Sequence, residues 1–272
     1  MNDPADNIQE EVKLGVLRLG REVGPVVVML HGWGQTKENL RPLGELLAEF
    51  ASVHLVDLPG FGDSTPPPGI WGTEEYAARI LAYLDELDLR RVVLLGHSFG
   101  GKVALRFAAK HPERLEKLVL IASSGLRPHR AWRKRLRFFA ISVLRCVVRF
   151  IEKYLRLPAY RKWFIARFAS PDYKNAGLLR QTFVRVVNED LAPFVARIST
   201  PALLLWGNED TETPPETAER LHKLLRHSKL LVLPGRGHYP FFDSGLHLCA
   251  HYITDFLREG IADQENEGAL DG

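Results

Sequence analysis

The sequence predicts an α/β domain: a doubly wound, mostly parallel sheet carrying a helical lid insertion. Three observations predict it. Short apolar, β-rich runs recur along the chain, and helical apolar patterns fill the gaps between them. The alternation stops once, between about residues 126 and 198, and resumes at Pro201.

Val12, Leu14, Val16 and Leu19 fit an exposed antiparallel edge strand, although the alternation slips at its end. Val26–Leu30 and Val53–Val56 read as buried strands, joined by a helix whose inner face is Leu40, Leu43, Leu46, Leu47 and Phe50. Thr73 is expected to cap the next helix, with Glu74 and Glu75 in the first turn and Ile80, Leu81, Leu84 and Leu87 facing the core. The strand Val92–Leu95 then leads into a helix with Val103, Ala104, Phe107 and Ala108 inward. Leu118–Ile121, Ala202–Trp206 and Leu230–Leu233 complete the sheet. The expected organisation is a core of residues 1–125 and 199–258, a basic helical lid of 126–198, and an acidic, polar, disordered tail of 259–272.

Composition narrows the function classes. With 46% hydrophobic and 25% charged residues the chain is an ordinary globular one, and a net charge of +3 gives no general case for nucleic-acid binding. The charge is uneven, however. Arg127 to Arg167 holds 13 Lys/Arg against one acid, Glu152. Met1–Glu11 is polar and lacks the basic and apolar regions of a signal peptide, while Phe138–Ile151 is too short and too charged to span a bilayer, so a cytoplasmic location is expected. Cys146 and Cys249 read as small apolar residues and not as a disulfide framework.

Gly96-His97-Ser98-Phe99-Gly100 fits Gly-x-Ser-x-Gly, and its context carries the argument. It sits between a strand and a helix, where a sharp turn lifts the serine off the sheet edge and the flanking glycines remove side chains that would clash. Ser98 is therefore the candidate nucleophile. A tetrahedral oxyanion needs two preorganised donors. The backbone N–H of Phe99 is one candidate; that of Trp33, in His31-Gly32-Trp33-Gly34 after the second strand, is the other. Among ten histidines, His238 is the candidate base, because Pro234–Phe241 is a loop straight after the last strand run. His31 and His97 read as structural or lining residues. The orienting carboxylate is expected at Asp210 in Trp206-Gly207-Asn208-Glu209-Asp210, with Glu209 as the fallback. The other place for it, after Leu118–Ile121, offers only Ser123-Ser124-Gly125.

On these segments, and on Asp57-Leu58-Pro59-Gly60-Phe61-Gly62-Asp63-Ser64, the chain resembles the α/β-hydrolase superfamily over residues 10–258, and within it the small bacterial lid-bearing serine esterases. The resemblance implies a triad of Ser98, Asp210 and His238, oxyanion donors at Trp33 and Phe99, and no cofactor or metal. It implies that Asp57–Ser64 is a structural loop. The superfamily's epoxide hydrolases and dehalogenases place Asp where Ser98 stands, which argues against both activities. The leading expectation is hydrolysis of a small-molecule carboxylic ester with an apolar acyl group. Thioesters, C–C bonds or an acyl-carrier-linked methyl ester are the alternatives with the same triad, and a non-catalytic binding protein on the same fold is a further one. Trp132, Leu136, Phe139, Val143, Val147, Phe150 and Tyr154 form one helical stripe among the basic residues. That stretch is expected to be either a lid with solvated charges or a docking face for an anionic lipid surface or an acyl carrier protein. His31-Gly32-Trp33-Gly34 is also found in pimeloyl-acyl-carrier methyl esterases.

Overall fold

The computed structural model describes residues 12–20, 24–127 and 170–259. The N-terminal residues 1–11, Cys146, the apolar stripe from Trp132 to Tyr154 with its basic neighbours, and nearly all of the acidic tail lie outside the described residues.

Seven strands form one sheet: β1 (Val16–Leu19), β2 (Val26–Leu30), β3 (Ser52–Val56), β4 (Val92–His97), β5 (Leu115–Ile121), β6 (Ala202–Gly207) and β7 (Ser228–Leu233). Their order is β1-β3-β2-β4-β5-β6-β7. Only β1 runs antiparallel, pairing Val16 with Val56 and Leu19 with Val53, as its weaker apolar alternation suggests. All six residues of β4 and of β6 are buried, which is why these segments read as continuous apolar runs. The order reverses beside β4. The chain winds to one side through β2, β3 and β1 and to the other through β5, β6 and β7. Such a reversal opens a crevice at the carboxyl ends of the strands.

Among the described residues the α-helices are α1 (Arg41–Leu47), α2 (Thr73–Glu86), α3 (Phe99–Lys110), α4 (Pro171–Asn175), α5 (Arg180–Asn188), α6 (Ala192–Val195), α7 (Pro215–Leu224) and α8 (Leu246–Arg258). On one sheet face Val27, Met29, Leu95, Val119, Leu203 and Leu205 share a core with Leu43 and Leu47 of α1 and with Cys249 and Ile253 of α8. Each such side chain contributes about 1.5–3 kcal/mol by leaving water. Burial pushes the Cys249 thiol up to about 12, and its sulfur donates to the Pro240 carbonyl, in keeping with a packing role.

Thr73 departs from expectation. It is the first residue of α2 and not its cap, and its side chain is buried. Gly72 precedes the helix, and its N–H donates to Glu75 Oε2 at 2.7 Å. The Glu189 carboxylate accepts the Thr73 N–H, with N···O of 3.1 and 3.2 Å, and also the Thr73 hydroxyl. An acid 116 residues away thus satisfies the helix terminus in place of a local cap.

The chain divides into two compact units, Met1–Leu126 with Glu189–Gly272, and Arg127–Asn188. Glu189–Ile198 belongs to the first unit. Leu191, Val195 and Ile198 are buried there, the Leu191 N–H donates to the Gly125 carbonyl, and Lys102 Nζ donates to the Glu189 carbonyl at 2.8 Å. In the second unit Ser170 caps α4 by accepting the Tyr173 N–H.

Candidate active site

The five predicted site residues follow four of the parallel strands, so all of them lie along the carboxyl edge of the sheet: Trp33 after β2, Ser98 and Phe99 after β4, Asp210 after β6 and His238 after β7.

Ser98 has φ 50° and ψ −109°, a conformation that costs a non-glycine residue about 1–3 kcal/mol. Its surroundings hold it there. Its N–H donates to the Ile121 carbonyl, and its own carbonyl accepts the Lys102 and Ser124 N–H groups and the Ser124 hydroxyl. The glycines are required by close approach. A Cβ on Gly96 would lie 2.5 Å from the Gly100 backbone, and one on Gly100 would lie 2.2 Å from the Leu30 carbonyl oxygen.

The Gly100 N–H donates to the His31 carbonyl at 3.0 Å, which fastens the start of α3 to the loop after β2. Within that loop the Gln35 N–H donates to Gly32 O, and Gln35 Oε1 accepts the Gly32 N–H. Trp33 and Phe99, the two candidate oxyanion residues, are thereby neighbours, with ring centroids 5.2 Å apart edge to face. Phe61 packs on Trp33 at 5.0 Å, and Tyr76 on Phe99 at 5.1 Å.

His238 Nδ1 lies 2.9 Å from Asp210 Oδ2. Both side chains are buried, whereas Glu209 is exposed, so Asp210 and not the fallback meets the imidazole. Asp210 Oδ1 accepts the Glu212 and Thr213 N–H groups, and Oδ2 accepts the Thr213 hydroxyl at 2.7 Å. Burial pushes the Asp210 carboxyl up, but the His238 and Thr213 hydrogen bonds outweigh it and hold the group below its usual range. An ionised Asp210 accepts the Nδ1 proton and leaves the Nε2 lone pair facing outward. Glu212 Oε2 lies 3.5 Å from that Nε2. His97, next to Ser98 in the chain, donates through Nε2 to the His238 carbonyl at 3.0 Å. This bond ties the base loop to the elbow. Among the hydrogen bonds of the described residues, none joins Ser98 Oγ to His238, and the link between the elbow and the His238 loop runs through His97.

Two further buried histidines, His31 and His97, flank the site. Burial lowers His31 to about 4 and His97 to about 3, so both are neutral near pH 7. His31 donates from Nδ1 to the Gly32 carbonyl and accepts the Leu58 N–H at Nε2. Asp57 heads the loop that carries Phe61. Its buried carboxylate accepts the Lys37 N–H at 2.6 Å, the Lys37 ammonium at 2.7 Å and the Asp63 N–H at 2.9 Å. Among the described residues no group of three or more His, Cys, Asp or Glu side chains could hold a metal ion, and no helix is long and apolar enough to cross a membrane.

Sequence reasoning missed Thr213 and Glu212. An acid followed three residues later by Thr signals a local side-chain turn, which could have found Thr213. Nothing local signals Glu212, whose neighbour His238 comes from another strand.

A serine on a strained strand-to-helix turn, beside a buried His–Asp pair on the edge of a parallel sheet, has the parts for nucleophilic attack on a carbonyl. Residues 27–251 match the alpha/beta hydrolase family, and the chain belongs to that family. It is similar to a pimeloyl-[acyl-carrier protein] methyl ester esterase of Neisseria meningitidis, 30% identical over 90% of this chain and 80% of that protein. The enzyme of the same description from Edwardsiella ictaluri is 32% identical over 82% of this chain and 90% of its own length. Among solved structures, a membrane phospholipase A described as a bacterial virulence factor is 27% identical, with a TM-score of 0.72 over 92% of this chain and 85% of that one.

Proposed function

We propose that the chain is a serine esterase acting through an acyl-enzyme, and that its substrate is the methyl ester of an acyl chain borne by an acyl carrier protein. The observation that carries the chemistry is the buried His238–Asp210 pair, 2.9 Å apart and bonded through His97 to the Ser98 elbow. Ser98 Oγ attacks the ester carbon, and its proton passes to His238 Nε2. The oxyanion that forms is held by the Trp33 and Phe99 N–H groups. The C–O bond to the alcohol then breaks, and His238 returns the proton to the leaving oxygen. Water, deprotonated by His238, attacks the acyl-enzyme and releases the acid and Ser98. No cofactor enters these steps.

The carrier-linked substrate rests on the two methyl ester esterase relatives and on the 13 basic residues between Arg127 and Arg167, which suit an acidic partner. A phospholipid acyl ester is the second reading, favoured by the phospholipase likeness.

The first test is labelling with a fluorophosphonate. Wild type is expected to take the label at Ser98 and Ser98→Ala to take none; folded, unlabelled wild type refutes the nucleophile. A panel then compares the methyl ester on acyl carrier protein, the same ester free in solution, a phospholipid vesicle, a matched thioester and a dienone. The carrier-linked ester is expected to react with the highest kcat/KM. A vesicle preference establishes the second reading, and a thioester or dienone preference replaces both.

A further inference from the structure

We propose that Glu212 selects the leaving alcohol by its charge, favouring esters whose alcohol is cationic or neutral and discriminating against an anionic one. The inference rests on the ester-hydrolase reading of Ser98 and His238.

Because Nδ1 of His238 is held by Asp210, Nε2 is the nitrogen that must protonate the departing alkoxide. The alcohol therefore has to pass within hydrogen-bond reach of Nε2, and Glu212 Oε2 is 3.5 Å from that atom. The two acids near His238 differ in kind. The Asp210 side chain is wholly buried, and its charge is offset by donors on both oxygens. The Glu212 side chain is 58% exposed and borders the same imidazole at Nε2. Its backbone is fixed. The Glu212 N–H is bonded to Asp210, and the next residue, Thr213, lies 2.9 Å from the Ala122 carbonyl at the end of β5. The carboxylate therefore extends from an anchored backbone to within 3.5 Å of Nε2.

A unit charge on the alcohol about 6 Å from the carboxylate, in a water-like dielectric, changes kcat/KM by about threefold. Cationic and anionic alcohols should then differ by about tenfold. The same discrimination favours the methyl ester over a phospholipid, whose leaving group carries a phosphate.

The test uses three esters of one acyl chain, with alcohols of equal length bearing a trimethylammonium, a neutral or a carboxylate end. Wild type, Glu212→Gln and Glu212→Lys are compared at low and high salt. The cation-to-anion ratio of kcat/KM is expected to be about ten in wild type, near one in Glu212→Gln and below one in Glu212→Lys. It should shrink toward one in high salt, where the Debye length falls to about 3 Å. Any effect of the substitution on His238 itself is common to the three esters and cancels in the ratio, and an unchanged urea midpoint shows that the variants are folded. A ratio that stays within twofold across all three proteins, while the neutral ester is turned over, overturns the selectivity. If no ester is hydrolysed above the Ser98→Ala blank, the esterase reading fails, and the proposal fails with it.

Discussion

Asp57→Asn should damage the protein far more than its distance from the chemistry suggests. The substitution keeps shape and size, so the effect isolates charge and hydrogen bonding. Oδ1 accepts the Lys37 N–H, while Oδ2 accepts both the Lys37 ammonium and the Asp63 N–H. In asparagine one of these oxygens becomes an NH2. If it replaces Oδ2, donor faces two donors inside a site with no exposed carboxylate surface. Breaking a buried pair in this way costs about 3–5 kcal/mol. For a chain of this size each kcal/mol lowers Tm by about 2–4 °C, so a drop of roughly 10 °C is expected. The other arm provides the control. Lys37 also meets Asp63 at 2.6 Å, but that carboxylate is 80% exposed, and Asp63→Asn should cost under about 1 kcal/mol. Urea unfolding of wild type, Asp57→Asn, Lys37→Met and Asp57→Asn/Lys37→Met measures the coupling directly, with Asp63→Asn alongside as the control. An Asp57→Asn cost below about 1 kcal/mol, or one no greater than that of Asp63→Asn, refutes the reasoning.

The same group dictates a pH dependence. Burial pushes the Asp57 carboxyl up, but the Lys37 side chain, the Lys37 N–H and the Asp63 N–H together hold it below its ordinary value of 3.8. Its folded pKa is therefore the depressed one. The stability it contributes is fully present above the unfolded pKa and is lost as pH falls through the folded value. The difference between wild type and Asp57→Asn should be largest above about pH 5, narrow as pH falls below about 4, and close only once pH has passed the depressed folded value.

Three further outcomes follow from the site. Asp210→Asn should lower kcat by about 10⁴-fold with little loss of fold, because it no longer favours the Nδ1-protonated tautomer; steady-state kinetics on any turned-over ester reads it. Thr213→Val removes the hydroxyl that lies 2.7 Å from Asp210 and 2.9 Å from the Ala122 carbonyl. It should lower kcat about tenfold at nearly constant KM, because a loosened His–Asp pair misplaces the base. Gly100→Ala should cost about 3 kcal/mol or more, seen as a lower urea midpoint, because its Cβ would meet the Leu30 backbone oxygen at 2.2 Å.

What the sequence made legible and what it concealed differ by a physical rule. A parallel strand must be apolar on both faces, so β2, β4 and β6 announce themselves. The loops that leave such strands converge on one edge. Ser98, Asp210 and His238 could therefore be chosen from their positions just after strands, although 112 residues separate the first two and 28 the last two. The concealed features are side-chain pairings that no periodicity encodes. Lys37 with Asp57 joins two loops across the sheet edge, and Glu189 replaces Thr73 as the acceptor at the start of α2. Thr73 has the right residue type for a cap, and the local signal was sound. It lost because a distant carboxylate supplies full charge to the same N–H group, which frees the threonine hydroxyl to accept from Arg106 while donating to that acid. Glu212 is the extreme case. Its type and spacing are those of any surface acid, and only the convergence of two strand ends puts it 3.5 Å from His238 Nε2. The candidate triad is thus carried by residues that directly follow the strands of the parallel sheet. The selectivity proposed for Glu212 rests instead on a residue that no strand or turn requires, and it becomes visible only when the loops are seen together.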